Sequence, residues 1–116
     1  MNWLPVFLDL RRGEVLLVGS GELARAKLRT LLAAQARVRW HVTDGDHDLA
    51  GLDAAVAARI TFDPQDPAAI DLGGVIAVLC AGAGEAGLAV AARARSLGVP
   101  VNVMDDLAHS SFISPA

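Results

Sequence analysis

Short apolar runs that end at glycine or at polar turns alternate along this chain with stretches of helical periodicity. The first run covers residues 14–18 and is apolar at every position after Glu14. It ends at Gly19, and such a run is typical of a parallel strand buried on both faces. Similar runs predict strands at residues 38–42, 59–62, 75–79 and 99–104, with a candidate for one more at 112–113.

Helical periodicity follows three of these strands. The clearest apolar stripe comes after the first strand and consists of Leu23, Ala24, Leu28, Leu31 and Leu32. Residues 49–58 and 85–97 predict two further helices, and Gly98 would end the second of them. Strand–helix repeats of this length need right-handed crossovers and a parallel sheet. The sequence therefore predicts a single α/β domain over residues 1–116, a Rossmann-type open parallel sheet with helices on both faces.

A glycine motif lies between the first strand and the first helix. Residues 19–24 have the sequence Gly-Ser-Gly-Glu-Leu-Ala, which fits the pattern G-x-G-x-x-A. The first glycine permits a tight turn, the second lets the backbone approach a pyrophosphate, and the alanine lets the helix lie close to the sheet. The alternative is a tight turn that binds nothing. The motif predicts a cofactor site formed by Gly19, Ser20, Gly21, Glu22, Leu23 and Ala24.

An acidic side chain that holds the adenosine ribose is expected about 20 residues further on, at the end of the second strand. Asp44 is the nearest candidate, and turn chemistry beside Gly45 explains it equally well. No lysine or arginine occurs in residues 42–50 to bind a 2′-phosphate, which favours NAD over NADP. His41 and His47 flank this turn, where either could face the cofactor or lie in a solvated loop.

Charge and cysteine content exclude several classes of protein. The net charge is −3 and Lys27 is the only lysine, which gives nucleic acid little electrostatic support. Cys80 is the only cysteine, so we expect a buried core thiol without a disulfide, and the histidines lack metal-ligand spacing. No apolar run reaches the length of a membrane span. We therefore expect a cytoplasmic protein without metal, nucleic-acid or membrane partners.

Four segments resemble the N-terminal domain of siroheme synthases. Residues 4–10 and 15–22 are similar to the opening of that domain, and residues 100–106 and 111–116 are similar to two later segments, in the same order and spacing. The family comprises precorrin-2 dehydrogenases, some of which are also sirohydrochlorin ferrochelatases. The resemblance implies NAD-dependent oxidation of precorrin-2 to sirohydrochlorin, a tetrapyrrole substrate and a homodimer.

The same resemblance assigns the catalytic acid/base to Asp105. The family's proposed acid/base is the aspartate of an Asn-Val-x-Asp segment, and residues 102–105 match that segment. A residue directly after a buried parallel strand emerges at the carboxyl end of the strand, beside the cofactor crevice. Partial burial next to Asp106 would suit a proton acceptor there. The alternative is an aspartate that caps a helix or stabilises a turn.

The chain departs from the family pattern near the expected cofactor. Ala26 occupies a position where the family usually has arginine, and Cys80-Ala81-Gly82 stands where the family tends to have Ala-Thr-Asp. Ala81 and Gly82 remain cofactor-binding candidates, because glycine admits a ligand close to the backbone. Family members also continue beyond the segment similar to residues 111–116, into a dimerisation region and a helical domain. The alternative function is therefore a non-catalytic nucleotide-binding or assembly module of the same fold.

Overall fold

The computed structural model, which describes residues 2–45, 49 and 51–114, contains one sheet of five parallel strands in that part of the chain. The strands are β1 (Glu14–Gly19), β2 (Arg37–Val42), β3 (Ile60–Phe62), β4 (Val75–Ala81) and β5 (Val101–Val103). Their order across the sheet is β3-β2-β1-β4-β5. Each neighbouring pair is parallel, so the predicted open parallel sheet is confirmed.

Helices cover both faces of the sheet, as predicted. The helices are α1 (Gly21–Ala33), α2 (Ala54–Ala57) and α3 (Gly84–Ser96). On one face, α1 packs its buried residues against Val15, Leu17, Val38 and Trp40. On the other face, Val90, Ala91 and Ala94 of α3 pack against Leu16, Val18 and Val78. Alternate residues of β1 thus contribute to two separate cores, as expected for a central strand buried on both sides.

The second helix is much shorter than the sequence predicts. The pattern favours a helix over residues 49–58, but α2 begins only at Ala54. Gly51 has φ +90°, which is incompatible with a helix, and the side chain of Asp53 caps α2 by accepting a hydrogen bond from the Val56 N–H at 2.9 Å. Residues 46–48 and 50, and with them the expectation for His47, lie outside the described residues.

The predicted strand at residues 112–113 is wrong, because side chains already occupy the free edge of β5. The hydroxyl oxygens of Ser111 and Ser110 accept hydrogen bonds from the backbone N–H groups of Val101 and Val103, at 2.9 and 2.8 Å. The backbone of Ser111 also donates to the carbonyl of Val101 at 2.7 Å. The two serines therefore replace a sixth strand at this edge.

A mostly buried arginine ties the segment between β3 and β4 to the rest of the sheet. The side chain of Arg39 is only 13% exposed, and its Nη2 donates to Oε1 of Glu14 at 3.0 Å. Its Nη1 lies 3.5 Å from Oδ2 of Asp63 and also donates to the backbone carbonyl of Asp71. A buried guanidinium needs such partners on several sides. This network lies away from the carboxyl ends of β1 and β4.

Candidate functional site

The strand order reverses between β1 and β4, which creates a crevice at the carboxyl ends of these two strands. The chain moves from β1 through β2 to β3 on one side and then returns to β4 on the other side of β1. Ligands of open α/β sheets bind outside the carboxyl ends of the strands at such a reversal. Gly19 ends β1 and lies opposite Ala81, the last residue of β4.

The turn after β1 approaches the end of β4 so closely that only glycine fits. Gly19 has φ +141°, and a Cβ placed on it would lie 1.7 Å from the carbonyl oxygen of Ala81. Gly82 has φ +61°, and a Cβ on it would lie 2.7 Å from the carbonyl oxygen of Ser20. The predicted tight turn at Gly19 is present. Ala81 is buried, so any contact of residues 81–82 with a ligand would involve the backbone.

Open space lies in front of the N-terminus of α1. Gly21 has φ +74°, and a Cβ on it would meet no atom within 4 Å in the described part of the chain. Ser20 is the N-cap residue, yet within the described residues its side chain makes no capping hydrogen bond. The N–H groups of the first turn of α1 therefore keep their donor capacity. Ala24 is fully buried against the sheet, as the motif predicts. This arrangement fits an anion at the helix N-terminus.

Two residues for which the sequence predicts no role, Trp40 of β2 and Thr43 directly after it, hold the turn at Gly19 and Ser20 in place. Nε1 of Trp40 donates a hydrogen bond to the carbonyl oxygen of Gly19 at 3.1 Å, and Oγ1 of Thr43 donates to Oγ of Ser20 at 3.2 Å. Trp40 is 1% exposed. The alternation along β2 places Trp40 on the same face as Val38, but alternation alone does not show that its indole reaches the turn.

A depression beside the glycine turn contains Asp44. This Asp44 depression has a volume of about 450 Å³ and is lined mainly by Trp40, Val42, Thr43, Asp44, Phe62 and Pro64. The rings of Trp40 and Phe62 lie with their centroids 5.7 Å apart and form its apolar part. Asp44 is exposed at its rim. The depression adjoins the turn through Thr43, which contacts Ser20.

The remaining candidates at the start of α1 are solvent-exposed. Leu23 is 53% exposed. Oε1 of Glu22 accepts a hydrogen bond from Nη2 of Arg29 at 2.5 Å, and this guanidinium lowers the pKa of the Glu22 carboxyl. His41, which flanks the turn after β2, has its Nδ1 2.9 Å from the carbonyl oxygen of Asp63. His41 is thus bound to the backbone of the next loop.

Asp105 lies two residues after β5, at the carboxyl end of the sheet as expected. The partial burial expected for it is not found, because Asp105 is exposed. Its φ is +58°, a left-handed conformation that aspartate tolerates better than most residues but that is uncommon outside glycine. Within the described residues its carboxylate makes no hydrogen bond or ion pair.

The capping role considered for Asp105 belongs to its neighbour. Asp106 is the N-cap of the short 3₁₀ helix Leu107–His109, and its Oδ1 accepts a hydrogen bond from the backbone N–H of His109 at 3.2 Å. Its Oδ2 lies 2.7 Å from Nδ1 of His109. The hydrogen bonds from His109 lower the pKa of the Asp106 carboxyl. Asp106 thus caps the 3₁₀ helix, while Asp105 lies in the turn after β5, and its carboxylate has no partner among the described residues.

A second depression brings Asp105 together with a residue from the first helix. This Asp105 depression has a volume of about 500 Å³ and is lined mainly by Lys27, Asn102, Met104, Asp105, Asp106 and Ile113. Lys27 comes from α1, whose N-terminus faces the crevice, and Asp105 follows β5. The two residues lie far apart in sequence, so no sequence pattern indicates that they lie close together.

Other chemistry is limited in the part of the chain that the structure describes. Cys80 is 2% exposed, and burial raises the pKa of its thiol to about 12, as suits the predicted core position. Among residues 2–45, 49 and 51–114, no group of three His, Cys, Asp or Glu side chains could hold a metal ion. No helix in these residues has the length and apolarity needed to cross a bilayer.

Sequence comparison assigns this arrangement to a family. A family model described as "Putative NAD(P)-binding" matches residues 6–116. Over its whole length the chain is 41% identical to a siroheme synthase of Chromobacterium violaceum, 34% identical to one of Nitrosomonas europaea and 39% identical to siroheme synthase 2 of Aeromonas hydrophila. The chain spans about a quarter of the length of these curated relatives, 24% in each case.

Structural comparison agrees on the fold. The structure of SirC, a precorrin-2 dehydrogenase, superposes with a TM-score of 0.67 over 97% of this chain and 55% of that chain. The sequences of the two are 17% identical, so the likeness concerns the fold.

Proposed function

This chain belongs to the NAD(P)-binding family that matches residues 6–116, and we propose that it oxidises precorrin-2 to sirohydrochlorin with NAD as the hydride acceptor. The proposal is supported by the full-length similarity to siroheme synthases and by the crevice between β1 and β4. The observation that carries it is the open, amide-lined space at Gly21, where the glycine motif begins α1. A cytoplasmic location fits both a biosynthetic oxidation of this kind and a single cysteine that is buried and free.

We propose that the dinucleotide lies across the glycine turn. The first-turn N–H groups at Gly21 and Glu22 would bind the diphosphate, and the Asp44 depression would hold the adenosine. Asp44 would accept hydrogen bonds from the ribose hydroxyls, as the acidic residue at this place does in NAD-binding domains. A 2′-phosphate would meet the Asp44 carboxylate instead, and residues 42–50 contain no lysine or arginine to neutralise it. These features favour NAD over NADP.

We assign to Asp105 the role of accepting the proton that the oxidation releases. Oxidation of precorrin-2 removes a hydride and a proton, and bound NAD supplies the hydride acceptor. Asp105 is a carboxylate without a partner among the described residues, held at the carboxyl end of the sheet in the Asp105 depression. Such a group can accept the proton directly from the substrate.

Binding of NAD should require the open space at Gly21, so that a methyl group there weakens binding beyond the effect of backbone strain on stability. Gly21 and Gly98 have φ values of +74° and +73°, and at both a Cβ meets no atom within 4 Å among the described residues. Gly21→Ala and Gly98→Ala should therefore cost similar stability, about 1 kcal/mol each. At an NAD concentration about 100 times its Kd, the free energy of unfolding of the wild type and of Gly98→Ala should rise by about 2.7 kcal/mol.

Gly21→Ala should lose most of this rise, because its methyl group would fill the proposed diphosphate position. Thermal unfolding with and without NAD, repeated with NADP, gives the measurement. If NAD raises the free energy of unfolding of both variants equally, the diphosphate does not bind at Gly21. No rise in the wild type with either dinucleotide would contradict the proposed cofactor.

A second candidate function is a nucleotide-binding or assembly module without catalysis. The observation in its favour is the end of β4, where Ala81 and Gly82 offer no polar side chain beside the crevice. Dinucleotide binding agrees with either function. Formation of NADH and sirohydrochlorin from NAD and precorrin-2 separates the two, because the module would bind NAD and produce neither product.

We also propose that two copies of the chain associate through the N-terminal segment, residues 3–8. Its apolar side chains are exposed, with Leu4 at 83%, Val6 at 64% and Phe7 at 104%. Contiguous apolar surface of this kind is typical of protein interfaces. Sedimentation equilibrium should show a dimer for the wild type and weaker association for Phe7→Asp. A wild type that is monomeric at all concentrations would overturn this proposal.

A further inference from the structure

The Asp105 depression contains one cationic side chain among the residues that line it, and that side chain is Lys27. Lys27 is the only lysine of the chain. It lies in the second turn of α1, is half-buried, and makes no hydrogen bond or ion pair within the described residues. A partly buried ammonium group without a protein partner leaves its donors available for a ligand.

The charges around Lys27 show which ligand it suits. Asp106 is paired with His109, so Lys27 and Asp105 are the two charged side chains of the depression that have no partner among the described residues. They do not form an ion pair with each other, since no such pair within 4.0 Å is present among the described residues. One anionic group and one cationic group therefore face the same space of about 500 Å³. A substrate that brings a carboxylate to Lys27 and the proton to be removed to Asp105 complements both groups.

We propose that Lys27 binds a carboxylate substituent of the tetrapyrrole and so holds the macrocycle beside Asp105, an inference that rests on the proposed function. Precorrin-2 and sirohydrochlorin both carry acetate and propionate side chains around the ring. The chain has a net charge of −3, so a polyanionic substrate needs a local cation. Lys27 is a positioning residue in this scheme, while Asp105 accepts the proton.

A direct binding measurement tests Lys27 without any need for turnover. Sirohydrochlorin is titrated into the full chain and its absorbance is followed. Lys27→Met keeps most of the apolar stem and removes the charge, so it should weaken binding about tenfold, as expected for the loss of a hydrogen bond to a charged group. Lys27→Arg should restore most of the affinity.

Arg37→Met is the matched control, because it removes one positive charge from an exposed residue at the opposite end of the sheet, where β2 begins. Its affinity should equal that of the wild type. If Arg37→Met and Lys27→Met weaken binding equally, the effect is one of net charge and the inference fails.

Methyl-esterified sirohydrochlorin provides the complementary change in the ligand. The ester should bind the wild type about as weakly as the free acid binds Lys27→Met. Lys27→Met itself should bind the ester and the free acid with about equal affinity. In turnover, Lys27→Met should raise KM about tenfold and change kcat far less.

The outcomes separate this inference from the proposed function. If the wild type and Lys27→Met bind sirohydrochlorin equally, Lys27 is not a substrate ligand, although the protein still binds the tetrapyrrole. If the wild type does not bind sirohydrochlorin at all, the proposed function and this inference both fail. A change in kcat with unchanged KM and Kd would assign Lys27 to the chemical step and would overturn its positioning role.

Discussion

Gly19→Ala should bring the domain close to unfolding, with a loss of about 4 kcal/mol in the free energy of unfolding. The added Cβ would lie 1.7 Å from the carbonyl oxygen of Ala81, and a backbone atom cannot move aside as the end of a side chain can. Relief requires separation of β1, the central strand of the sheet, from its neighbour β4. The φ of +141° adds backbone strain for any residue with a Cβ. Domains of this size are stable by only about 5–15 kcal/mol.

The measurement is urea unfolding of the wild type, Gly19→Ala and Gly98→Ala. Gly98→Ala adds a Cβ at a positive φ of +73° without a steric contact, because its Cβ meets no atom within 4 Å among the described residues. Its loss should be about 1 kcal/mol. Similar midpoints for the two variants would mean that the turn does not pack against β4 as described. Gly21→Ala should resemble Gly98→Ala in stability, so the two motif glycines should differ: Gly19 supports the fold and Gly21 supports binding.

The parallel sheet and the two long helices could be predicted from the sequence because they depend on local patterns. Buried parallel strands are continuous apolar runs, and α1 has a regular apolar stripe that ends in the buried residues Leu31 and Leu32. The position of the glycine turn follows from the same patterns. The short α2 was overpredicted, because its alanines suggest a longer helix and the positive φ of Gly51 is not visible in the sequence.

Contacts between distant parts of the chain could not be predicted. The hydrogen bond from Trp40 to the Gly19 carbonyl depends on the register between β1 and β2. The hydroxyls of Ser110 and Ser111 that pair with β5 take the place of the strand that the apolar residues 112–113 had suggested. Likewise, Lys27 and Asp105 share a depression only because the fold brings α1 and the end of β5 to its lining. The family resemblance made Asp105 a candidate, and the structure adds its neighbours.

Asp105→Asn should reduce kcat for precorrin-2 oxidation by at least about 100-fold, because asparagine keeps the shape of the side chain and cannot accept the proton. Asparagine also tolerates the left-handed backbone at φ +58°, so the fold should persist. The dinucleotide does not contact this residue in the proposed arrangement, and the NAD-dependent rise in stability should equal that of the wild type. NADH formation under saturating precorrin-2 and NAD gives kcat.

Asp106→Asn is the informative comparison for Asp105. Asp106 is the adjacent carboxylate, and the hydrogen bonds from His109 lower its pKa, which makes it a poor proton acceptor. Asparagine is nearly as good an N-cap as aspartate, so this variant should keep the 3₁₀ helix and lose far less activity than Asp105→Asn. If the two variants exchange these behaviours, the proton acceptor is Asp106, and the left-handed Asp105 serves only the turn.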